Sequence, residues 1–434
     1  MPKTDLETLL FDNIKVNNLD EVAWLNEYYS NGQKSGAPIF LSLGETWSSI
    51  PDKLLSHLSN APKHCHGYQI SSYGYPKLRQ EAERFLVNEY DLGRYRYYSA
   101  DTIHTGICST GTRGAMYNYA RYLKDQLAGQ KSPVLITAAP GWDYSGVFSS
   151  AGYKVDFFNL DPEDGFLPST EAILKKIISI SDDANSFPVF AMNAQHNPTG
   201  INWPAGVVAD IIELLIERKI PLLIDDAYFA IHHPDIQPTS ALGILFEKLP
   251  STQSEYVWAF TRSLGKQYGC NGWGVGLVMA PSQILNAILC TYQIDYHYNI
   301  NAANQYALSL WINSADAYEH TKKLRSTIFE NRKMFIQALQ STLRYPVGAF
   351  PLSNCTSFQL FPLPSQYENE GGAECFVRDC LEATGILYTT AWPLPYNVGG
   401  KLKNYNYARV FLAADKTKIS NAIERMIEHK IVYG

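Results

Sequence analysis

Residues 189–200 read VFAMNAQHNPTG, residues 221–228 read PLLIDDAY and residues 257–276 read VWAFTRSLGKQYGCNGWGVG. Each stretch opens with a run of apolar residues and continues into polar residues, glycine or proline. Continuous apolarity, rather than alternation, is typical of strands that are buried on both faces, as in a parallel sheet. The three stretches therefore predict buried strands of an α/β protein, each followed by a loop that carries polar side chains.

The segments around these strands indicate the same fold class. Apolar residues recur at helical spacing in residues 205–219, between the first two stretches, and strand, helix and strand in succession imply a right-handed crossover. Apolar runs at residues 134–136 and 276–279 add further strands, and Pro76 is placed to open a helix. One helical pattern extends over residues 302–340, a length that favours a helix bridging two domains. The sequence thus predicts a mainly parallel central sheet flanked by helices.

The chain length favours more than one domain. At roughly 150 residues per domain, 434 residues correspond to two or three domains. We expect an N-terminal arm with part of a small domain at residues 1–65, and a large domain at residues 66–315. Residues 316–434 would form the rest of the smaller, α+β domain.

Composition excludes several classes of partner. The 36 basic and 42 acidic residues give a formal charge of −6, and no run is rich in Lys or Arg, so we expect no nucleic-acid partner. No apolar stretch reaches the ~20 residues of a membrane helix, and the acidic N-terminus does not resemble a secretory signal. The seven cysteines are scattered without metal-ligand spacing, which predicts reduced thiols, a cytoplasmic protein and no metal site.

Three polar residues follow the predicted strands and are candidates for chemistry. Asn197, Asp225 and Lys266 each come shortly after an apolar run. Ligands of open α/β sheets bind at the carboxyl ends of the strands, so these side chains could converge on one site. Taken singly, each has an ordinary explanation, because an Asn-Pro turn, a capping Asp and a surface Lys are common.

Taken together and in this order, HNPTG (196–200), DDAY (225–228) and SLGK (263–266) resemble the motifs of the class I/II aminotransferases. The resemblance spans most of the chain, from about Tyr68 to Arg409. It implies the aspartate aminotransferase fold, fold type I of the pyridoxal-phosphate enzymes, with pyridoxal 5'-phosphate as the cofactor. It also implies an amino acid substrate, a keto-acid co-substrate and a homodimer.

The resemblance assigns catalytic roles to four residues. Lys266 would form the Schiff base with the cofactor aldehyde and then carry a proton at the substrate α-carbon. Asp225 would keep the cofactor's pyridine nitrogen protonated, which the electron-withdrawing ring requires. Asn197 and Tyr228 match the residues that hydrogen-bond the ring's phenolic oxygen, although Tyr228 could equally be a core aromatic residue.

The remaining cofactor contacts also follow from the resemblance. Trp142, in a Pro-Gly-Trp segment, would stack on the cofactor ring. Small residues before a helix place backbone N–H groups at an anion, and the phosphate is assigned to Gly111, Thr112 and Arg113 with help from Ser263. Tyr68 resembles the tyrosine that reaches the phosphate of the neighbouring subunit, and Tyr73 competes with it for this role.

The candidate substrate-binding residues are Arg409, Gly44 and Glu45. Arg409 resembles the arginine that binds the substrate α-carboxylate, because its planar guanidinium matches a carboxylate with two parallel hydrogen bonds. Gly44 lies where the family's N-terminal segment closes over the substrate, and Glu45 follows it directly. With Asp20, Glu21 and Glu27, Glu45 makes this segment acidic, which would favour a cationic substrate side chain; the alternative is that these acids are solvated.

One position departs from the family pattern. Typical members carry a phosphate-binding arginine eight residues after the lysine, where this chain has Gly274; Arg113 is our candidate substitute. The departure keeps a second interpretation open, a lyase or cyclase that acts on a guanidino, hydroxyarginine-like amino acid. Capreomycidine-synthase-like cyclases resemble this branch, and a requirement for a keto acid separates the two interpretations. A third interpretation is a non-catalytic regulatory protein on the same scaffold.

Overall fold

The structure is a computed structural model that describes residues 20–44, 46, 49–250, 255–298, 301–392, 396–398 and 401–434. Its α-helices, numbered in chain order, are α1 Asp20–Ser30, α2 Asp52–Ser59, α3 Pro76–Glu89, α4 Gly111–Leu123, α5 Tyr144–Ser150, α6 Thr170–Ser181, α7 Ala205–Glu217, α8 Ala241–Lys248, α9 Gly265–Tyr268, α10 Ser282–Asn286, α11 Ala302–Trp311, α12 Ala315–Ser341, α13 Gly372–Thr384 and α14 Lys416–Glu428. Its strands are β1 Ile39–Phe40, β2 Ile103–Cys108, β3 Ser132–Ala139, β4 Lys154–Asn159, β5 Ser186–Met192, β6 Leu222–Asp225, β7 Trp258–Ser263, β8 Gly276–Pro281, β9 Phe358–Pro362, β10 Ile386–Leu387, β11 Thr389–Thr390, β12 Tyr396–Val398, β13 Lys401–Lys403 and β14 Tyr407–Phe411.

A mainly parallel sheet forms the centre of the protein, as the sequence predicts. Within the described residues it has seven strands in the order β2-β8-β7-β6-β5-β3-β4. The pairs β3–β4, β3–β5, β5–β6 and β6–β7 are parallel, while β8 runs antiparallel to both β2 and β7. Because β5, β6 and β7 are parallel neighbours, the polar residues that follow them lie at one edge of the sheet.

The apolar residues of the strands and helices form the core. β6 is buried at every position, and α7 buries an apolar face that includes Val208, Ile211 and Leu215. Tyr119 of α4 packs in the same hydrophobic cluster as Leu223 of β6. This sandwich of sheet and helices is the reason why the strands read as continuous apolar runs in the sequence.

The predicted long helix over residues 302–340 is wrong in one respect, because the structure has two helices there. α11 ends at Trp311 and α12 begins at Ala315. The Ser314 side chain accepts a hydrogen bond from the Ala317 backbone N–H (3.1 Å) and starts the second helix. The Ser314 cap favours the start of α12 over continuation of α11. The apolar periodicity continues across residues 312–314 and therefore does not reveal the break.

The chain divides into two compact units. Among the described residues, the larger unit comprises positions 45–326 and 352–357, and it contains the seven-stranded sheet. The smaller comprises positions 1–44, 327–351 and 358–434, and it contains the antiparallel sheet β11-β14-β9. Residues 45–65 and 316–326 thus fall in the larger unit, outside the range predicted for the large domain. No helix in the described part of the chain is long and apolar enough to cross a membrane.

Candidate active site

Asn193, which the sequence analysis did not single out, joins the Asn-Pro turn to the end of β6. Its side-chain amide donates to the Asp225 carbonyl oxygen (2.8 Å), and its side-chain oxygen accepts from the Asn197 backbone N–H (2.9 Å). Asn193 and Asn197 are both buried. A single side chain therefore sets the position of the Asn197 turn relative to Asp225. The signal in the sequence is weak, because Asn193 is distinguished only by following an apolar strand.

The Asp225 carboxylate is buried at the carboxyl end of β6 and is held by two hydroxyl groups. The Tyr144 hydroxyl donates to one oxygen (2.7 Å), and the Thr261 hydroxyl, in register on β7, donates to the other (3.4 Å). Burial raises the pKa of Asp225 to about 6, and the two hydrogen bonds oppose that rise. A carboxylate has about four acceptor positions, so Asp225 retains capacity for another N–H donor.

The neighbouring carboxylate, Asp226, has a different set of partners. Tyr90 donates its hydroxyl to Asp226 (2.8 Å), and burial raises the pKa of Asp226 to about 7. Consecutive residues of an extended segment point to opposite sides, which separates the surroundings of Asp225 from those of Asp226.

Arg262 connects three segments behind the predicted lysine. This arginine is fully buried in β7. Its guanidinium donates to the Asp226 carbonyl oxygen (2.9 Å), to Gln267 (3.0 Å) and to Glu89 at the end of α3 (3.2 Å). A buried ion pair needs such hydrogen bonds because its two charges have lost their hydration. The signal in the sequence is an arginine at the end of the apolar run that begins at Val257.

Lys266 is the second residue of α9, directly after β7. Lys266 and Ser263, the last residue of β7, are both half-buried. The helix is held at its start, where the Gly265 carbonyl oxygen accepts from the Thr46 hydroxyl (3.2 Å), and that hydroxyl accepts from the Asn271 amide (3.2 Å). Because β7 pairs with β6, the segment with Lys266 follows the strand next to the one that ends at Asp225.

The predicted phosphate turn lies at the start of α4. A Cβ atom on Gly111 would have no heavy atom within 4 Å, so this side of Gly111 is open, while the backbone of Gly111 and Thr112 packs against Gly276. Thr110 precedes the helix and makes no side-chain capping bond, which leaves first-turn N–H groups without an intrahelical partner. Helix N-termini of this kind bind anions.

Arg113 and Trp142 lie together beside this turn. The Arg113 guanidinium stacks over the Trp142 ring (4.6 Å to the ring centre) and donates to Asp143 (2.9 Å). The Trp142 ring in turn meets the Tyr144 ring edge-on, with 5.1 Å between ring centres. The structure thus links the proposed stacking residue to Tyr144, which contacts Asp225.

The predicted tyrosines differ in exposure. Tyr228 is buried, whereas Tyr68 is 78% exposed and its ring lies 6.0 Å from that of Tyr298, also exposed. Tyr73 donates its hydroxyl to Asn286 (3.0 Å), within the same unit. Tyr68 therefore presents its side chain outward, and the partly buried Tyr73 packs against the hydrophobic cluster of the larger unit.

Arg409 lies in β14 of the smaller unit. Its guanidinium stacks over the Phe358 ring (4.1 Å) and donates to the Ser42 carbonyl oxygen (3.4 Å), two residues before Gly44. Of the acidic N-terminal residues, Glu21 accepts a hydrogen bond from Thr389 (2.6 Å). Glu45 lies outside the described residues, so its predicted contact with substrate remains a prediction.

Comparison with known proteins identifies the family. Residues 46–425 match the family described as aminotransferase class I and II. The chain belongs to the class I and II aminotransferase family. It is 21% identical over 415 residues to an aspartate aminotransferase of Pyrococcus horikoshii, covering 93% of each chain. It is 22% identical over 407 residues to an LL-diaminopimelate aminotransferase of Halothermothrix orenii, covering 93% of this chain and 94% of that protein.

A solved structure shares the fold. A double mutant of the Thermus thermophilus aspartate aminotransferase superposes with a TM-score of 0.76 at 17% identity, covering 99% of this chain and 100% of that one. The fold predicted from the motifs is therefore confirmed, and the protein is a pyridoxal-phosphate-dependent aminotransferase. The named relatives are aminotransferases, so they do not favour the lyase or cyclase interpretation.

The residues of this aminotransferase fit pyridoxal phosphate. Asp225 is a buried carboxylate with acceptor capacity left for a pyridine N–H, and Lys266 supplies an amine at the end of the adjacent strand. The open turn at Gly111, with uncapped helix N–H groups, matches the chemistry of a phosphate. Each part of the cofactor thus has a donor or acceptor of the right kind in the larger unit.

Proposed function

We propose that this aminotransferase transfers the amino group of an α-amino acid to a keto acid, with Lys266 as its catalytic lysine. The observation that carries the proposal is the joint placement of three groups at one edge of the sheet. Asp225 ends β6, Asn193 binds both the Asp225 carbonyl and the Asn197 turn, and Lys266 begins the segment after the paired strand β7. This combination suits a bound cofactor better than a structural cluster, because the described side chains that donate to the buried Asp225 carboxylate are the uncharged hydroxyl groups of Tyr144 and Thr261.

Bound pyridoxal phosphate supplies an aldehyde that captures the substrate amino group and a ring that withdraws electrons from the substrate α-carbon. Lys266 would hold the cofactor through its amine until the substrate amino group takes the place of that amine, and the freed amine would then move the proton at the α-carbon. Asp225 would keep a proton on the ring nitrogen. Asn197 and Tyr228 would donate hydrogen bonds to the phenolic oxygen, and Trp142 would stack on the ring.

Arg409 binds the substrate's α-carboxylate in this proposal. A guanidinium half-buried against an aromatic ring keeps a fixed orientation, which favours two parallel hydrogen bonds to a carboxylate. Gly44 and Glu45 follow the segment that Arg409 contacts through Ser42 in the sequence, and we propose that both residues contact the substrate. Since the named relatives act on aspartate and LL-diaminopimelate, a substrate panel begins with these amino acids and adds arginine and hydroxyarginine.

We further propose a homodimer in the cytoplasm. Tyr68, Ile70 and Tyr298 are large apolar residues that are 78%, 102% and 64% exposed. Grouped exposed apolar residues are typical of an interface between proteins, and Tyr68 would then reach the partner's phosphate site. All seven cysteines are free thiols, which agrees with a reducing compartment.

The test separates transamination from elimination. Cofactor-loaded protein is mixed with each amino acid of the panel in the absence of a keto acid, and the products are quantified by mass spectrometry. We expect one equivalent of keto acid per cofactor, and continuous turnover only after pyruvate or 2-oxoglutarate is added.

Two outcomes would contradict the proposal. Continuous release of ammonia or of a cyclised product without any keto acid would establish the lyase or cyclase chemistry instead. Turnover by Lys266→Ala equal to that of the wild type would remove Lys266 from the mechanism. Borohydride reduction of the loaded wild type, followed by peptide mapping, should place the cofactor on Lys266 and not on another lysine.

A further inference from the structure

Ser109, immediately before the phosphate turn, is held through each of its polar groups by side chains of one later segment. Its backbone N–H donates to Gln293 (3.3 Å), and its hydroxyl lies 3.4 Å from Nδ1 of His297. Its carbonyl oxygen accepts from the Asn301 side-chain amide (3.1 Å). Ser109 is buried, so its polar groups need these partners.

Asn301 also holds the segment that contains Gly274. Its side-chain amide donates to the Trp273 carbonyl oxygen (3.1 Å), and the Gly274 carbonyl oxygen accepts from the Gly111 backbone N–H (2.9 Å). A single amide group therefore connects the residue before Gly274 to the residue that precedes the phosphate turn. Asn301 has a φ of +64°, a left-handed conformation that asparagine tolerates better than most residues.

Gly274 occupies the position of the family's phosphate-binding arginine, and its surroundings are tight for any side chain. Its φ is +65°, where residues with a Cβ are strained. An added Cβ would lie 3.0 Å from the Asn301 amide nitrogen and 3.1 Å from the Ser109 carbonyl oxygen. A side chain at position 274 would therefore crowd the Asn301 amide.

We infer that Asn301 is the positioning residue for the cofactor phosphate in this enzyme, acting through Ser109 and Trp273 where relatives use the arginine. It would hold in place the turn to which the phosphate is assigned, and the backbone bond between Gly111 and Gly274 fixes the same turn (2.9 Å). Asn301 itself does not touch the phosphate, because its amide donates to two carbonyl oxygens. The inference rests on the proposed function, since it requires pyridoxal phosphate at this turn.

The experiment compares two ligands that differ only in the phosphate. Dissociation constants of pyridoxal phosphate and of pyridoxal are measured by fluorescence titration of the full-length apoprotein. Asn301→Gly removes the side chain and keeps the backbone conformation accessible. We expect the dissociation constant for pyridoxal phosphate to rise about tenfold, the effect of roughly one or two hydrogen bonds, and that for pyridoxal to change less than twofold.

Asn304→Ala is the matched control. Asn304 donates to the Trp273 carbonyl oxygen (3.3 Å) but not to Ser109 among its described contacts, so its loss should leave the affinity for pyridoxal phosphate within twofold. Gly274→Arg, which restores the family residue, should weaken pyridoxal phosphate binding rather than strengthen it. The melting temperature of each apoprotein shows whether the variant is folded.

Several results would overturn the inference. Equal weakening of both ligands in Asn301→Gly would mean that Asn301 supports the fold and not the phosphate turn. An unchanged affinity for pyridoxal phosphate, or a tighter one in Gly274→Arg, would show that the turn does not depend on this amide. Failure of the wild type to bind pyridoxal phosphate would instead refute the proposed function, and the inference with it.

Discussion

Tyr144→Phe tests how much the enzyme depends on a hydrogen bond that the sequence did not reveal. The substitution removes one hydroxyl, which donates to the buried Asp225 carboxylate at 2.7 Å. A buried hydrogen bond to a charged group is worth about 1.5–3 kcal/mol, and a pKa unit corresponds to about 1.4 kcal/mol. Without Tyr144, the pKa of Asp225 in the apoprotein should therefore rise by about 1–2 units above its already raised value. At neutral pH a larger fraction of Asp225 would then be protonated, and the protonated form is a poorer acceptor for the ring N–H.

The assay is steady-state transamination at neutral pH with saturating cofactor. If the Tyr144–Asp225 hydrogen bond stabilises the transition state by about 1.5–3 kcal/mol, kcat of Tyr144→Phe should fall about 10- to 100-fold. The change in KM should be smaller. Tyr153→Phe is the matched control, because Tyr153 is also a buried tyrosine but donates to the Ala120 carbonyl oxygen (2.8 Å). Both variants should lose some stability in urea unfolding, and only Tyr144→Phe should lose turnover.

A Tyr144→Phe variant with wild-type kcat would refute the reasoning. So would an equal loss of kcat in Tyr144→Phe and Tyr153→Phe, since that would reduce the effect to general destabilisation of the core. The pH dependence provides a second comparison, because a change in the acceptor for the ring nitrogen should alter the pH profile of Tyr144→Phe and not that of Tyr153→Phe.

Three further predictions concern charge. Arg409→Lys should raise KM for the amino acid at least tenfold with a smaller effect on cofactor affinity, because lysine cannot make two parallel hydrogen bonds; equal losses in both would contradict its role. Carboxyl groups of the unfolded chain have pKa values near 4, whereas the folded Asp225 and Asp226 have pKa values of about 6 and 7. Between about pH 4 and pH 7 the folded apoprotein therefore binds more protons than the unfolded chain. Its free energy of unfolding should therefore fall by roughly 6 kcal/mol as the pH rises from 4 to 8, and Asp226→Asn should flatten that slope in urea unfolding. Arg262→Met should lower the free energy of unfolding by about 3–5 kcal/mol because Glu89 is left without its partner, and adding Glu89→Gln should restore part of the loss; additive effects would argue against the pairing.

The fold was predictable because it depends on patterns that are local in the sequence. Strands buried on both faces read as apolar runs, as in Leu222–Asp225, and the helix between two of them shows its apolar face at helical spacing. The break between α11 and α12 was not predictable from that periodicity, since it depends on a single serine that caps the second helix. A capping side chain stabilises the start of a helix by only about 1 kcal/mol. The apolar periodicity does not depend on that contribution and therefore does not reveal the break.

The fold class, the family and the residue types at the predicted site can be inferred from the sequence, because the motifs are short and keep their order along the chain. The side chains that support these motifs become visible in the folded chain. Asn193, Tyr144 and Arg262 contact the motif residues from positions 4 to 81 residues away in the sequence, at distances that only chain folding sets. The same holds for Asn301, whose amide meets a carbonyl oxygen 192 residues earlier. Hydrogen bonds act over about 3 Å in space and are independent of separation along the chain, so a linear pattern does not report them.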